Sequence, residues 1–422
     1  MLVPRLVARA VTPLAQGVEG AGPGVRQLAT SAGSRGAGGD DRFEKRRKYL
    51  RRLEYLNRPD PCEGGAADDD LEVYKVQADR LRHDSRVYVW GSADMGALGN
   101  PNLVEPPDPR SAPMAAMWRP ILAKLGETHR LRAAAAGYGF SLFLTEDRER
   151  PVWGTGNNRS GQLGFFRQRG RDGREAGAPL ELLLEAAHLQ LPLRKGERVV
   201  GLAAGRAHSL VLTSAGQVLS LGDNAHGQCG RPVVEGEDAM ARRPVHRMAA
   251  EGVAAVTAGQ DHTLLLTTAG TVLSCGWAAD GQTGQGHYRS SGELTTLGGD
   301  LAGEEVVKVA CAADCVLALS RAGEVFGWGN SEYGQFAMVT DEQQLATPTH
   351  LALGVGEKVV DVASGGTVCL LLTESGRVLV WGFGILGLGP RVTAAREPRE
   401  VPGVLFGRCR TSLPSPGVSP EY

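Results

Sequence analysis

Aromatic residues and net charge are both scarce in this chain of 422 residues. Phe, Trp and Tyr together make up 5% of the sequence, and the formal net charge is −1. No apolar run reaches the roughly 18 residues that a membrane-spanning helix needs, so none is predicted. The seven cysteines are odd in number and belong to a long chain. A small disulfide-stapled secreted domain is therefore excluded, and free thiols in a reducing compartment are expected.

Glycine, by contrast, is abundant, and the charges are unevenly distributed. The 58 glycines follow no collagen-like period, which indicates many tight turns between short strands. Residues 1–58 contain 12 basic and 5 acidic residues, whereas the rest of the chain contains 34 basic and 42 acidic residues. An acidic body argues against binding nucleic acid by charge alone, and no DNA partner is expected.

The first 39 residues are typical of a mitochondrial transit peptide. Glu19 is their only acid, and four arginines are spaced among small and apolar residues: Arg5, Arg9, Arg26 and Arg35. A disordered Gly/Ala tail is the alternative. Residues 40–84 are predicted to form a linker that passes from basic to acidic. We expect import into the mitochondrial matrix, with peripheral association at the inner membrane left open.

A repeated glycine pattern organises the body of the chain. It reads apolar-x-Trp/Cys/Leu-Gly, followed five residues later by Gly and often by Gln-x-Gly. Two clear copies are Leu221-Gly222 with Gly227-Gln228, and Cys275-Gly276 with Gly281-Gln282. Six glycines are taken as anchors of this pattern: Gly91, Gly154, Gly222, Gly276, Gly329 and Gly382. A repeat near 50 residues predicts stacked units that share one core.

A second pattern, Ala-Gly-x-x-His-Ser-Leu-x-Leu-Thr, precedes each anchor after the first. Its histidines are His208 and His262, while Phe140, Cys315 and Val368 occupy the same position in the other copies. Alternating apolar residues joined by Ser-Ala-Gly or Thr-Ala-Gly turns predict β-hairpins. Strand pairs at this period bury their faces by packing around an axis, as in a β-propeller.

The two patterns in register resemble the regulator-of-chromosome-condensation family, over residues 85–407. A kelch propeller has a similar period but would show Gly-Gly doublets, which this repeat lacks. The resemblance implies an all-β propeller, nominally of seven blades and completed by both termini. Only five Gly-x-x-His-type strands are found. Residues 408–422 have neither the repeat nor a strand composition, so the closing blade is predicted to be missing.

The resemblance also implies a binding platform without its own reaction centre, which exchanges guanine nucleotide on a GTPase. For a mitochondrial member, the implied partner is the dynamin-like GTPase of inner-membrane fusion. In exchange-active members, acids beside the repeat His contact the GTPase. Asp261 matches that motif, and Asp314 matches its position although Cys315 follows it. The alternative for both is a solvated loop acid. As an acid on a blade-edge loop, Asp261 is expected to contribute at most about 0.5 kcal/mol to stability.

An insertion between Gly154 and Gly222 suggests a second function. It contains Phe165 and Phe166, then a helical run predicted over 180–189. Four arginines follow the phenylalanines: Arg167, Arg169, Arg171 and Arg174. Arginines interleaved with aromatics can contact RNA or an acidic partner, although a solvated loop is the plain alternative. The resemblance implies, in that case, a role with mitochondrial large-subunit rRNA and a pseudouridine synthase module.

No cofactor or metal site is predicted. The string Gly382-x-Gly384-x-x-Gly387 matches a dinucleotide-binding pattern, but it falls in a repeat turn with no helix after it. Cys311 and Cys315 are spaced like metal ligands, yet no second pair follows, so buried thiols are expected. His208 and His262 are interpreted as structural groups that form hydrogen bonds across a blade.

Overall fold

The computed structural model describes residues 87–105, 115–169, 175–236, 245–389 and 391–402. Three predicted segments lie outside the described residues: the leader 1–39, the linker 40–84 and the tail 408–422. Arg171 and Arg174 also lie outside them.

The described residues form six consecutive sheets, which are the blades of a propeller. Blade 1 contains β1 (Tyr88–Ser92) and β2 (Ala116–Leu122), with helix α1 (Pro101–Val104) between them and a 3₁₀ turn (Lys124–Glu127) after them. Blade 2 contains β3 (Leu131–Ala136), β4 (Phe140–Thr145) and β5 (Val152–Asn157). A hairpin of β6 (Arg167–Arg169) and β7 (Glu175–Pro179) follows, and β8 (Leu182–His188) then completes the blade. Blade 3 contains β9 (Val199–Ala204), β10 (His208–Thr213), β11 (Val218–Gly222) and β12 (His246–Arg247).

The remaining three blades each have four strands. Blade 4 contains β13 (Val253–Ala258), β14 (His262–Thr267), β15 (Val272–Gly276) and β16 (Ser291–Thr296). After a 3₁₀ turn (Gly299–Leu301), blade 5 contains β17 (Val306–Ala312), β18 (Cys315–Ser320), β19 (Val325–Asn330) and β20 (Gln344–His350). Blade 6 contains β21 (Val359–Ser364), β22 (Val368–Thr373), β23 (Val378–Phe383) and β24 (Ala394–Glu400).

The all-β propeller predicted from the repeat is confirmed in these residues, with six blades. A seventh blade and a missing closing blade stay predictions. Over the described ranges, no helix combines the length and hydropathy that a membrane crossing requires.

Each four-stranded blade is an antiparallel meander whose strands are A, B, C and D in chain order. The A strands of neighbouring blades contact one another: β3 contacts β9, and β17 contacts β21. The A strands therefore lie nearest the propeller axis. In an antiparallel meander the A–B and C–D loops leave from the same edge. We call that side of the propeller the front face, and the side that carries the B–C turns the back face.

The anchor glycine ends strand C, directly opposite the first residue of strand B. Gly222 pairs with His208 and has φ +104°, and a Cβ there would lie 2.3 Å from the Ala207 carbonyl oxygen. Only glycine fits such a position. The anchor assigned to Gly154 was wrong in register, because Gly156 pairs with Phe140 and has the positive φ of +103°.

The core lies between neighbouring blades and is filled by alternating strand residues. One cluster joins blades 2 and 3 through Leu142, Leu163 and Val211. The helical run predicted over 180–189 is wrong, since these residues form β8, which pairs with β5 as the D strand of blade 2. Closing the hydrogen-bond ladder of β5 outweighs the local helix preference of Leu, Glu and Ala.

Candidate partner-binding face

The A–B loops join neighbouring blades on the front face through backbone hydrogen bonds. The Tyr138 amide donates to the Gly205 carbonyl at 3.3 Å, and the Arg206 amide donates to the Gln260 carbonyl at 2.8 Å. The Gln260 amide in turn donates to the Ala313 carbonyl at 3.4 Å. These bonds fix the loops near the axis, so their side chains are presented at defined positions.

The two repeat histidines lie directly beneath these loops and are fully buried. His208 Nε2 lies 3.2 Å from Thr263 Oγ1 in the next blade, and His262 Nε2 lies 3.4 Å from Cys311 Sγ. Burial, together with the charge of His208, lowers the pKa of His262 to about 3. His262 is therefore neutral at physiological pH, as suits a group that joins two blades rather than one that transfers protons.

Asp261 lies on the front face but is not a solvated loop acid. It is 7% exposed, and Arg206 of the neighbouring blade binds both of its oxygens, with Nε to Oδ1 at 3.1 Å and Nη2 to Oδ2 at 2.7 Å. Such two-point pairs are strong and directional. Because the carboxylate is buried and paired, we expect Asp261 to contribute about 1–3 kcal/mol to stability, more than a solvated loop acid would.

Asp314 lies at the junction of blades 4 and 5, in a different electrostatic setting. Its side chain is 21% exposed, and Gln282 Nε2 of the preceding blade donates to its Oδ1 at 2.9 Å. Burial raises the pKa of Asp314 to about 6. The charges of Asp280 and Asp261 add to this rise, whereas the hydrogen bond from Gln282 and the charge of Arg206 oppose it. Asp314 is thus a carboxylate at pH 7 that would gain from a further cation.

Three members of this group were not singled out from the sequence. Arg206 and Asp280 are residues of variable repeat positions, and only the fold shows that they adjoin Asp261 and Asp314. Gln282, however, belongs to the Gly-Gln-x-Gly motif. Its recurrence could have indicated a link between blades.

The arginine-rich insertion projects from the same front face, as part of the C–D connection of blade 2. The Arg167 guanidinium lies over the Phe165 ring, 5.2 Å from its centroid. Arg169 ends strand β6, and Phe166 packs against the core between blades 2 and 3. The acids and the described arginines are therefore on one side of the molecule but in different blades.

Cys311 and Cys315 are buried thiols on adjacent strands, as the sequence predicts. No group of His, Cys, Asp and Glu within the described residues has the arrangement of a metal site.

This fold and this face define a class of propeller. The family model described as "RCC1-like domain" matches residues 86–412, and the chain belongs to that family.

Individual relatives are similar over most of their length. The chain is 46% identical over 356 residues to the mouse "RCC1-like G exchanging factor-like protein", aligning 82% of this chain with 76% of that protein. The human protein of the same name is 45% identical over 348 residues, with 80% and 74% covered.

Solved structures of similar proteins superpose on this propeller. The crystal structure of human WBSCR16 superposes with a TM-score of 0.69 at 44% identity, covering 77% of this chain and 80% of that one. Yeast RCC1 (Prp20) bound to Kap60 superposes with a TM-score of 0.59 at 21% identity, covering 76% and 72%, and shows the fold alone.

Proposed function

We propose that the chain is a guanine-nucleotide exchange factor and that its front face contacts the GTPase. The observation that carries this proposal lies at the front of blades 3 to 5, where Arg206 pairs with Asp261 and the charges of Asp261, Asp280 and Arg206 all act on Asp314. The names of the mouse and human relatives, which refer to G exchange, support a GTPase as the partner.

Nucleotide exchange requires no covalent step in the exchange factor. It requires tighter binding to the nucleotide-free GTPase than to the nucleotide-bound form. A partly buried carboxylate such as Asp314 can pair with a lysine or arginine of the GTPase that otherwise contacts phosphate. Asp261 is already paired with Arg206, so it supports the site by fixing that guanidinium beside Asp314.

The compartment and the particular GTPase belong to the same proposal. The Arg-spaced, acid-poor residues 1–39 support mitochondrial import, and a dynamin-like GTPase of inner-membrane fusion is the partner we propose there. Residues 1–39 fused to a fluorescent reporter are expected to direct it to mitochondria. A cytosolic or nuclear signal would contradict import.

Stopped-flow release of fluorescent GDP from that GTPase tests the site. We expect Asp314→Asn and Asp261→Asn each to slow release by about tenfold or more, because a buried charged contact is lost. Glu374→Gln is the matched control, since Glu374 is an exposed acid in a back-face turn, and its release rate should stay within about twofold. Equal rates for all three variants would remove the front-face acids from the site.

RNA association is the second candidate function, and the insertion of blade 2 supports it. Arg167 stacked on Phe165 presents a cation and an aromatic face together, as RNA-binding surfaces do. The partners would be mitochondrial large-subunit rRNA and a pseudouridine synthase module. Replacing Arg167, Arg169, Arg171 and Arg174 with Ala should weaken RNA recovery after crosslinking and flatten its salt dependence. Unchanged recovery would assign the insertion to a solvated loop.

A further inference from the structure

The junction of blades 5 and 6 carries an exposed apolar group on the front face. Tyr333 and Phe383 stack with their ring centroids 5.4 Å apart and their planes 20° apart. They remain 43% and 45% exposed, and Ile385, two residues beyond Phe383, is fully exposed. Exposed large apolar side chains that adjoin one another indicate an interaction site.

The fold itself does not call for an aromatic residue at position 383. The residue after the anchor glycine is Asn157, Asp223 or Asn330 in three other blades, and its Oδ1 accepts a hydrogen bond from the amide two residues later at 3.0–3.2 Å. Such side-chain turns stabilise the loop locally. The Phe383 side chain cannot accept that hydrogen bond, and it remains 45% exposed. Blade 4 has Trp277 at this position, but that ring is half-buried and contacts the His226 ring, with the ring centroids 4.3 Å apart.

Position 385 departs from the repeat in the same way. The third residue after the anchor is charged or small in each of the other blades: Asp94, Arg159, Ala225, Ala279 and Glu332. A fully exposed isoleucine at the corresponding position has no packing role in this blade. Two neighbouring departures from the repeat, both toward exposed apolar surface, indicate a function beyond stability.

The surrounding charge indicates which partner fits. The loop over 330–344, which carries Tyr333, contains three acids and no basic residue. Asp341 pairs with Arg396, whereas Glu332 and Glu342 are exposed and make no ion pair with any described residue. The blade 6 loop over 384–393 adds one exposed base, Arg391, and no acid, so the acids of the two loops outnumber the base by three to one. A phosphate backbone would be repelled by these acids, whereas a lysine or arginine would be attracted.

We propose that Tyr333, Phe383 and Ile385 form a docking patch for a basic segment of a partner protein that also carries aliphatic side chains. An aliphatic residue of that segment packs on Phe383 and Ile385, and a neighbouring cation lies over the Tyr333 ring or beside Glu332. The patch lies in blades 5 and 6, so the proposal does not depend on the acids of blades 3 to 5 or on exchange activity.

Fluorescence anisotropy with the full chain and defined probes tests this patch. The probes are a labelled peptide of alternating Lys and Leu, its Glu/Leu and Lys/Ser counterparts, and a single-stranded RNA. Of these probes, we expect only the Lys/Leu peptide to bind at the patch. Its affinity should fall at least about tenfold in Phe383→Ala and in Ile385→Ser. Glu332→Gln with Glu342→Gln should weaken binding and its salt dependence. Thermal melts establish that the variants stay folded.

Tyr288→Ala is the matched control, because Tyr288 is 50% exposed in the C–D loop of blade 4, and it should leave binding unchanged. The proposal is overturned if Tyr288→Ala weakens peptide binding as much as Phe383→Ala does, or if Phe383→Ala does not weaken it. RNA that binds the patch also overturns it. Self-association abolished by Ile385→Ser would assign the patch to a second copy instead. A gain in peptide affinity on Arg47→Glu with Arg51→Glu would assign it to the basic residues 45–52 of this chain.

Discussion

At the scale of single residues, one backbone carbonyl organises the contact at each of the four junctions from blade 2 to blade 6. The carbonyl of the repeat glutamine accepts a side-chain donor from the next blade. In blades 3 and 4 the donor is on strand B, from Ser209 to Gln162 and from Thr263 to Gln228, both at 2.7 Å.

In blades 5 and 6 the donor moves to strand C. Trp328 Nε1 donates to the Gln282 carbonyl at 3.1 Å, and Trp381 Nε1 donates to the Gln335 carbonyl at 2.8 Å. The two donor positions are cross-strand neighbours, as the pairing of Val316 with Trp328 shows. In the two blades where Trp occupies the strand C position, the strand B position holds an apolar residue or a thiol. Each of these junctions therefore keeps a single hydrogen-bond donor to the glutamine carbonyl.

Trp328→Phe is therefore expected to destabilise the fold by about 2 kcal/mol, because it leaves the buried Gln282 carbonyl without its donor and removes ring volume. Trp90→Phe is the control, because Trp90 has the same repeat position in blade 1 but is 58% exposed. It should change stability by no more than about 0.5 kcal/mol. Denaturant unfolding measures both variants. Equal losses would contradict the role given to the carbonyl.

Asp314 provides a second prediction at this scale. Its folded pKa of about 6 exceeds its ordinary value of 3.8. Its contribution is thus fully present below pH 3.8 and is lost as the pH rises through 6. Asp314→Asn should gain stability relative to the parent by about 1–3 kcal/mol between pH 4 and pH 7.5. Thermal melts of both proteins across this range check the sign, and a constant difference would contradict it.

Residue roles were predictable from the sequence only where the repeat defines them. The anchor at Gly222 and the buried positions of His208 and His262 follow from recurrence. The pairing of Asp261 with Arg206 does not, because the two residues are brought together only when blades 3 and 4 pack side by side. The five-residue spacing of the repeat also identifies Gly156, rather than Gly154, as the glycine that precedes Gly161.

At the scale of elements, an ion pair on the back face secures the short D strand of blade 3. Strand β12 has two residues, and Arg247 is one of them. Arg247 contacts both carboxylate oxygens of Glu197 at 2.9 and 3.1 Å and also donates to the Pro192 carbonyl at 3.2 Å. The Arg247 guanidinium lowers the pKa of the Glu197 carboxyl to about 2.

This pair predicts a loss of stability in acid. The Glu197 contribution is present above its ordinary pKa of 4.5 and is lost as the pH falls from there toward 2. Arg247→Leu should cost about 2–3 kcal/mol at pH 7, since it leaves a buried carboxylate unpaired, and its deficit should shrink below pH 4. Unfolding at pH 7 and pH 3.5 measures this. A deficit that does not depend on pH would point to packing alone.

Strands were the most predictable elements, because a two-residue alternation is a local signal. The alternation on either side of Ser214-Ala215-Gly216 predicts a hairpin, and the flanking residues form the paired strands β10 and β11. The composition of residues 180–189 favours a helix, so the sequence predicts one there. The role of this segment as a D strand is set by the open edge of β5, which lies about 30 residues earlier in the chain.

At the scale of the molecule, the front face combines groups of different chemistry in separate blades. The hairpin of blade 2 carries arginines, blades 3 to 5 carry the acids around Arg206, and blades 5 and 6 carry the exposed Tyr333 and Phe383. Aromatic and arginine side chains beside a rigid scaffold are typical of protein-binding surfaces. The repeat predicts this scaffold, but the grouping depends on which blades adjoin.

Photo-crosslinking from the two faces in isolated mitochondria tests the central claim most directly. A benzoylphenylalanine replaces Gln260, which is exposed in a front-face A–B loop, or Ala269, which is exposed in the back-face turn of the same blade. We predict that the probe at position 260 traps a GTPase and that the probe at position 269 does not. A GTPase trapped only from position 269, or RNA alone trapped from position 260, would contradict the assignment of the front face to a GTPase.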